Sequence, residues 1–129
     1  MAKIEHVKDK DFSARGVQRR EWRGLVNGDY TSTWDIADFP DRVVQFSGTV
    51  GSDLSVTAYG SSLDSDKGND PTTGGWYILK DANGNDLTKT SLNKGENVQQ
   101  NPRYIACKVT NGTNNSIDIT IEASNRRGS

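Results

Sequence analysis

From residue 30 onward the chain alternates apolar and polar residues with period two, the pattern of strands that bury one face and wet the other. Tyr30-Thr31-Ser32-Thr33-Trp34-Asp35-Ile36 places Tyr30, Trp34 and Ile36 on one side, and Asp38-Phe39-Pro40-Asp41 then turns the chain. Arg42 to Val50 sends Val44, Phe46 and Val50 inward and Val43, Gln45 and Thr49 outward. After a turn at Gly51-Ser52-Asp53, Leu54, Val56 and Ala58 alternate with Ser55, Thr57 and Tyr59. These two runs are expected to pair as a hairpin. Ser61 to Gly75 is polar throughout and reads as a long loop. Trp76 to Lys80 and Asp86 to Thr90 flank Asp81-Ala82-Asn83-Gly84-Asn85, whose Asn-Gly pair suits the positive φ of a hairpin turn. Past the polar segment Leu92 to Gln100, Arg103 to Thr110 and Ser116 to Ala123 are strands around an Asn111-to-Asn115 turn. Ile117, Ile119, Ile121 and Ala123 give the cleanest alternation in the chain.

Short strands at roughly 8–12-residue spacing with no helix between them predict an all-β fold, an antiparallel β-sandwich of jelly-roll type with about 7–8 strands. Residues 1–23 read as a basic N-terminal arm, 24–124 as the β-sandwich domain and 125–129 as a basic C-terminal tail. The arm holds Lys3, Lys8, Lys10, Arg15, Arg19, Arg20 and Arg23 against Glu5, Asp9, Asp11 and Glu21, and its few apolar residues are too sparse to bury a continuous face. It is expected to be partly extended and to order against something else. The front of the body is acidic: Asp29, Asp35, Asp38, Asp41, Asp53, Asp64, Asp66 and Asp70 face only Arg42 and Lys67.

Composition sharpens this picture. Only 32% of the 129 residues are hydrophobic, yet 16 basic and 17 acidic groups leave a net charge of −1, unlike the strongly charged composition of most disordered chains. The balance also argues against nucleic acid as a partner. No stretch is long and apolar enough for a membrane span, so no membrane partner is expected. Met1 to His6 lacks the apolar core of a secretory signal, so assembly in a cytoplasm is expected.

Chemistry is thinly supplied. His6 is the sole histidine and lies in the arm; Cys107, the sole cysteine, alternates with Ile105 and Val109 and reads as a buried, inert thiol. The run Asp64-Ser65-Asp66-Lys67-Gly68-Asn69-Asp70 has the alternate oxygens of a calcium loop, but Gly68, Asn69 and Gly75 stand where an EF-hand needs its fifth-position ligand, its glycine and its bidentate glutamate. Neither catalytic residues nor cofactor or metal sites are expected, and the chain reads as a non-enzyme. Trp34 is core, and Trp76 beside Tyr77 puts one aromatic on each face of a strand. Trp22, a large apolar group in a polar arm, is expected to find a partner that buries it.

Three segments carry a family resemblance. Asn101-Pro102-Arg103-Tyr104-Ile105, with Lys108-Val109-Thr110-Asn111-Gly112-Thr113 and Asp118-Ile119-Thr120-Ile121, resembles the C-terminal half of small virion proteins of tailed bacteriophages. So do the stretch from Gly75 to Thr88 and the run from Phe39 to Gly48. The resemblance spans about residues 30–123 and implies a jelly-roll or sandwich protein of the capsid cement (decoration) type, on the virion capsid surface. It brings no active-site residues. The implied partner is the major capsid protein, with a homo-oligomer, a dimer or trimer, as the expected form. On that reading Arg15, Arg19, Arg20 and Arg23 would pair with an acidic shell while Phe12 and Trp22 anchor the arm. The alternative is a carbohydrate-binding module displayed on the virion, with Trp76 or Tyr77 stacking on sugar beside Asp64, Asp66 or Asn83.

Overall fold

Ile117, Ile119, Ile121 and Ala123 are buried along their whole run, and the neighbouring strands place Val44 and Phe46 on one side of them and Trp22 and Leu25 on the other. The computed structural model describes residues 2–12, 16–36, 39–92 and 94–124, with backbone alone for Lys8–Phe12 and for Lys94. Twelve strand segments occur among the described residues: β1 Lys3–Ile4, β2 Lys8–Phe12, β3 Val17–Leu25, β4 Tyr30–Thr31, β5 Trp34–Asp35, β6 Asp41–Thr49, β7 Ser52–Ser61, β8 Tyr77–Ile78, β9 Thr88–Lys89, β10 Lys94–Asn97, β11 Tyr104–Thr113 and β12 Ser116–Ser124. They form two facing sheets. One runs β10-β6-β12-β3-β2; the other runs β1-β4-β11-β7-β8, with β5 also on β11 and β9 also on β7.

Counting β4 with β5 as one interrupted strand, and β8 with β9 as another, reveals the winding. β3 pairs with β12, β4/β5 with β11, β6 with β10 and β7 with β8/β9, so early strands pair with late ones in nested order. Folding that nest across itself sets β12 beside β6 and β11 beside β7. This is the jelly-roll order, two Greek keys wrapped around one core. The core between the sheets includes Trp22, Trp34, Ile36, Val44, Phe46, Leu54, Val56, Leu79, Leu87, Ile105, Cys107 and Val109. The one parallel pairing among the described strands is β1 on β4.

This winding corrects two expectations. β6 and β7 do not pair as a hairpin; they lie in opposite sheets, and the chain crosses between them at residues 50–51, leaving Val50 43% exposed instead of inward. Gly48, at φ +114° just before that crossing, lies so close to β12 that a Cβ there would run into the Ser116 carbonyl. The second concerns the arm. Val17–Leu25 is a full strand paired with β12 from Leu25↔Ile117 to Val17↔Ser124, so the sandwich begins well before residue 24. Its outward charges hide the inward positions that let it do so. β1 and β2 then flank the two sheets as edge strands, one on each.

The segment 62–76 is a strap folded across the outer face of the β11–β7 sheet. Asp66 accepts from Ser61 Oγ and the Gly75 amide, Tyr104 Oη donates to Asp64, and Gly68 N donates to Thr33 Oγ1. Lys108 Nζ reaches Asp70 at 2.8 and 3.0 Å and Thr72 Oγ1 at 3.0 Å, with its side chain only 8% exposed. Tyr59 and Thr57, expected to face water, are therefore covered.

Candidate functional site

The two sheets present opposite characters to the outside. Where the strap and its ion pairs roof the β11–β7 sheet, the outer face of the β6–β12–β3 sheet stays open. Register fixes its layout. Val43, Glu122 and Arg19 stand in one cross-strand row, and Gln45, Thr120 and Glu21 in the next. Together they line a shallow depression of about 400 Å³. Arg19 donates through Nε and Nη2 to Glu122 Oε2 at 3.1 and 2.9 Å, and Arg23 lies 3.9 Å from Glu21. Val43, 40% exposed, is the apolar point in this charged field. Exposed pairs of this kind contribute only about 0–1 kcal/mol to stability, so a partner can re-pair them at little cost.

The predicted docking residues separate in the structure. Arg19 and Arg23 reach this outer face. Arg20 alternates to the other side, with its guanidinium 5.0 Å from the Trp34 ring centre. Trp22 is a correction: it is 0% exposed, donates from Nε1 to Ser32 Oγ at 2.9 Å, and meets Trp34 edge to face at 6.3 Å. A residue so enclosed anchors the core, not a partner. Phe12 is paired through its backbone with Val17, and its side chain lies outside the described residues, as does the whole of Arg15.

The sugar-binding arrangement is not assembled either. Trp76 is half-buried with its indole N–H enclosed and without a partner. Asp66 is buried in its own bonds and Asp64 is occupied by Tyr104. Tyr77 is open, at 42%, and Asp64 and Asn83 are exposed as well. The carboxylates of the calcium-like run likewise turn to separate partners, Asp64 to Tyr104, Asp66 to Ser61 and Asp70 to Lys108. Cys107 is fully buried, and desolvation pushes its thiol far above the ordinary range, so it remains protonated and unreactive at neutral pH.

Two cations among the described residues are buried, Arg42 and Lys108. Arg42 shares parity with Val44 and Phe46, and that signal places it inward. Lys108 had no such signal, since its burial depends on a strap contributed by residues some forty positions earlier.

Comparison with known proteins speaks to the fold. No protein-family model matches the chain, and no curated protein matches it. Among solved structures, the crystal structure of the SPBc2 prophage-derived protein YomS is similar, with a TM-score of 0.59 over 84% of this chain and 95% of that one, at 10% sequence identity. At that identity the likeness establishes a shared two-sheet architecture.

Proposed function

We propose that this chain is a non-enzymatic structural protein of a tailed phage, which docks on the major capsid protein and stabilises the head shell from the capsid surface. The observation that carries the reading is the asymmetry between the two outer faces: one roofed by its own strap, the other broad, open and lined by easily re-paired charges around Val43. The architectural likeness to a prophage-derived protein supports a phage origin. Docking would exchange the Arg19–Glu122 and Arg23–Glu21 pairs for charges on the shell and cover Val43, giving an interface with an apolar centre and a polar rim. Copies around a capsid symmetry axis would associate as a dimer or trimer.

The test is co-sedimentation of the purified chain with shells of the phage that encodes it. Val43→Glu, on an exposed position, is expected to reduce shell binding at least tenfold while leaving the melting temperature close to that of the parent. Undiminished binding would remove the open face from the mechanism, and failure of the parent to sediment with shells would remove the capsid as partner.

A further inference from the structure

β10 and β2 are the edge strands of the five-stranded sheet. An unpaired edge is a template for a second chain, so the residues along it decide whether association is blocked or allowed. Where two copies of one edge strand pair antiparallel about a two-fold axis, that axis stands perpendicular to the sheet, and the residues brought opposite one another share a face. β2 is closed to such pairing by its sequence. Lys8 and Lys10 share one face and Asp9 and Asp11 the other, so a two-fold centred on any of residues 8–11 sets like charges opposite each other.

β10 has the reverse pattern. In Lys94-Gly95-Glu96-Asn97 the two same-face charges are of opposite sign, and a glycine separates them. The ladder fixes which backbone groups turn outward. The Val98 amide donates to the Arg42 carbonyl beside β6 at 2.9 Å, so Glu96 and Lys94, two and four residues earlier, also direct their N–H and C=O to β6. Gly95 and Asn97 therefore direct theirs away from the sheet, and both residues are exposed. The Gln99 amide, at the same parity, donates away from β6 to the Lys80 carbonyl at 2.8 Å, which marks where the open edge ends.

We propose that β10 pairs with β10 of a second copy of this chain about a two-fold axis through Gly95, joining two five-stranded sheets into one of ten strands. Gly95 of each copy donates its N–H to the other's carbonyl, and Lys94 of each stands opposite Glu96 of the other. Sliding one strand by two residues in either direction sets Glu96 against Glu96 or Lys94 against Lys94, so charge selects the register. Glu96 accepts from Lys89 Nζ through Oε1 at 2.8 Å, and a carboxylate has capacity for a second cation. Gly95 lies on the face that carries Val43, so the axis is free of side chains on the open outer surface and that surface runs on into the second copy. This dimer rests on the self-association within the proposed function, and it replaces the trimer, because an edge that pairs with itself closes at two copies. The edge is four residues long, so the pairing is weak in free solution.

The test uses the full chain without shells, so its failure leaves shell docking standing, and a failure of shell binding leaves the dimer standing. Pulsed-field-gradient NMR follows diffusion from micromolar to millimolar concentration, and the amide signals report the surface involved. Diffusion is expected to slow toward that of a particle of doubled mass, with the Gly95 and Asn97 amides shifting in step. Lys94→Glu and Glu96→Lys are each expected to weaken association about tenfold through two symmetric like-charge contacts, and an equimolar mixture of the two to restore it. Gly95→Pro removes an N–H that β6 does not use, and is expected to abolish pairing. Diffusion unchanged up to millimolar chain would overturn the dimer. Association that survives Gly95→Pro, or shifts confined to another edge, would overturn the assignment to β10. No recovery in the mixture, with both variants keeping the parent's dispersed amide spectrum, would overturn the register, and a limiting size of three copies would overturn the two-fold. Where a variant loses its fold, the parent's own concentration-dependent shifts at Gly95 and Asn97 decide.

Discussion

Replacing Trp22 separates its two roles, core strand residue and partner anchor, more cleanly than any other substitution in the chain. The side chain is fully enclosed between the sheets, packed edge to face on Trp34 and bonded to Ser32 Oγ. Truncating a buried tryptophan to alanine costs about 3–5 kcal/mol, a figure that already contains the lost contacts and the residual cavity. The enclosed site includes rigid β-branched neighbours such as Ile119, across from Trp22 on β12, so little collapse is available and about 4 kcal/mol is the expected loss. At about 3–5 °C per kcal/mol for a domain of this size, the melting temperature falls by roughly 12–20 °C. Trp22→Phe keeps a ring against Trp34 but strands the Ser32 hydroxyl, costing about 1–2 kcal/mol. Urea unfolding followed by far-ultraviolet circular dichroism measures both. A loss below about 1 kcal/mol for Trp22→Ala would show that Trp22 does not hold the sheets together, and would return it to the surface role that the sequence suggested.

Three further substitutions test the strap, the Asn-Gly turn and the approach of β6 to β12. Asp70→Asn strands Lys108 beneath the strap; because Asp70 keeps a fifth of its side chain exposed, the expected loss is on the order of 2 kcal/mol, below the ~3–5 of a fully buried pair, with new proteolytic cleavage between residues 62 and 75. Partial burial pushes the Asp70 carboxyl up, but the bonds from Lys108 and Thr72 outweigh it and hold the carboxyl below its ordinary value of 3.8. Its contribution is therefore complete above that value and disappears as pH falls through the lower, folded one; the stability difference between parent and Asp70→Asn is expected to shrink below about pH 4. At the glycines, Gly84→Ala meets no neighbour and costs about 1 kcal/mol in backbone strain alone, whereas Gly48→Ala drives its methyl into the Ser116 carbonyl and costs several times more, both read by thermal melts.

What could be read from the sequence follows from where the physics is local. Period-two alternation located β6, β7, β11 and β12 because each presents one consistently apolar face, and the Asn83-Gly84 turn was legible because Gly84 takes φ +81° and Asp81 caps the Asn83 and Asn85 amides. β3 was hidden by arginines on its outward side, although Trp22 and Leu25 fall on the buried side across the irregularity at Gly24. That misreading has a practical edge: deleting residues 1–23 removes most of a core strand, so it tests folding before it tests docking. β10 escaped notice because Lys94–Asn97 has no apolar residue and owes its strand to pairing with β6. The β6–β7 assignment failed because a tight turn between two amphipathic runs looks alike whether the chain returns along its own sheet or steps to the other one. Of the docking residues, Arg19 and Arg23 reach the open face, which the reading of an arm had no strand parity to assign.

The broken outer edge of the strap-covered sheet has its own consequence. β8 and β9 lie end to end along β7, and the chain leaves the ladder at Leu79, whose amide donates to the Ala58 carbonyl, and rejoins it at Leu87, whose carbonyl accepts from the Ala58 amide. Both leucines are buried and the two are themselves bonded, so the excursion is sealed at its base by one residue of β7. Lys80 stays tied to Gln99 and Gln100 and Asp81 is buried, but residues 82–85 beyond them are exposed, and lengthening that tip costs only about 0.6 kcal/mol per doubling. Residues 82–85 are thus a socket where evolution or an engineer can write a new peptide, displayed outward, without renegotiating the fold that carries it.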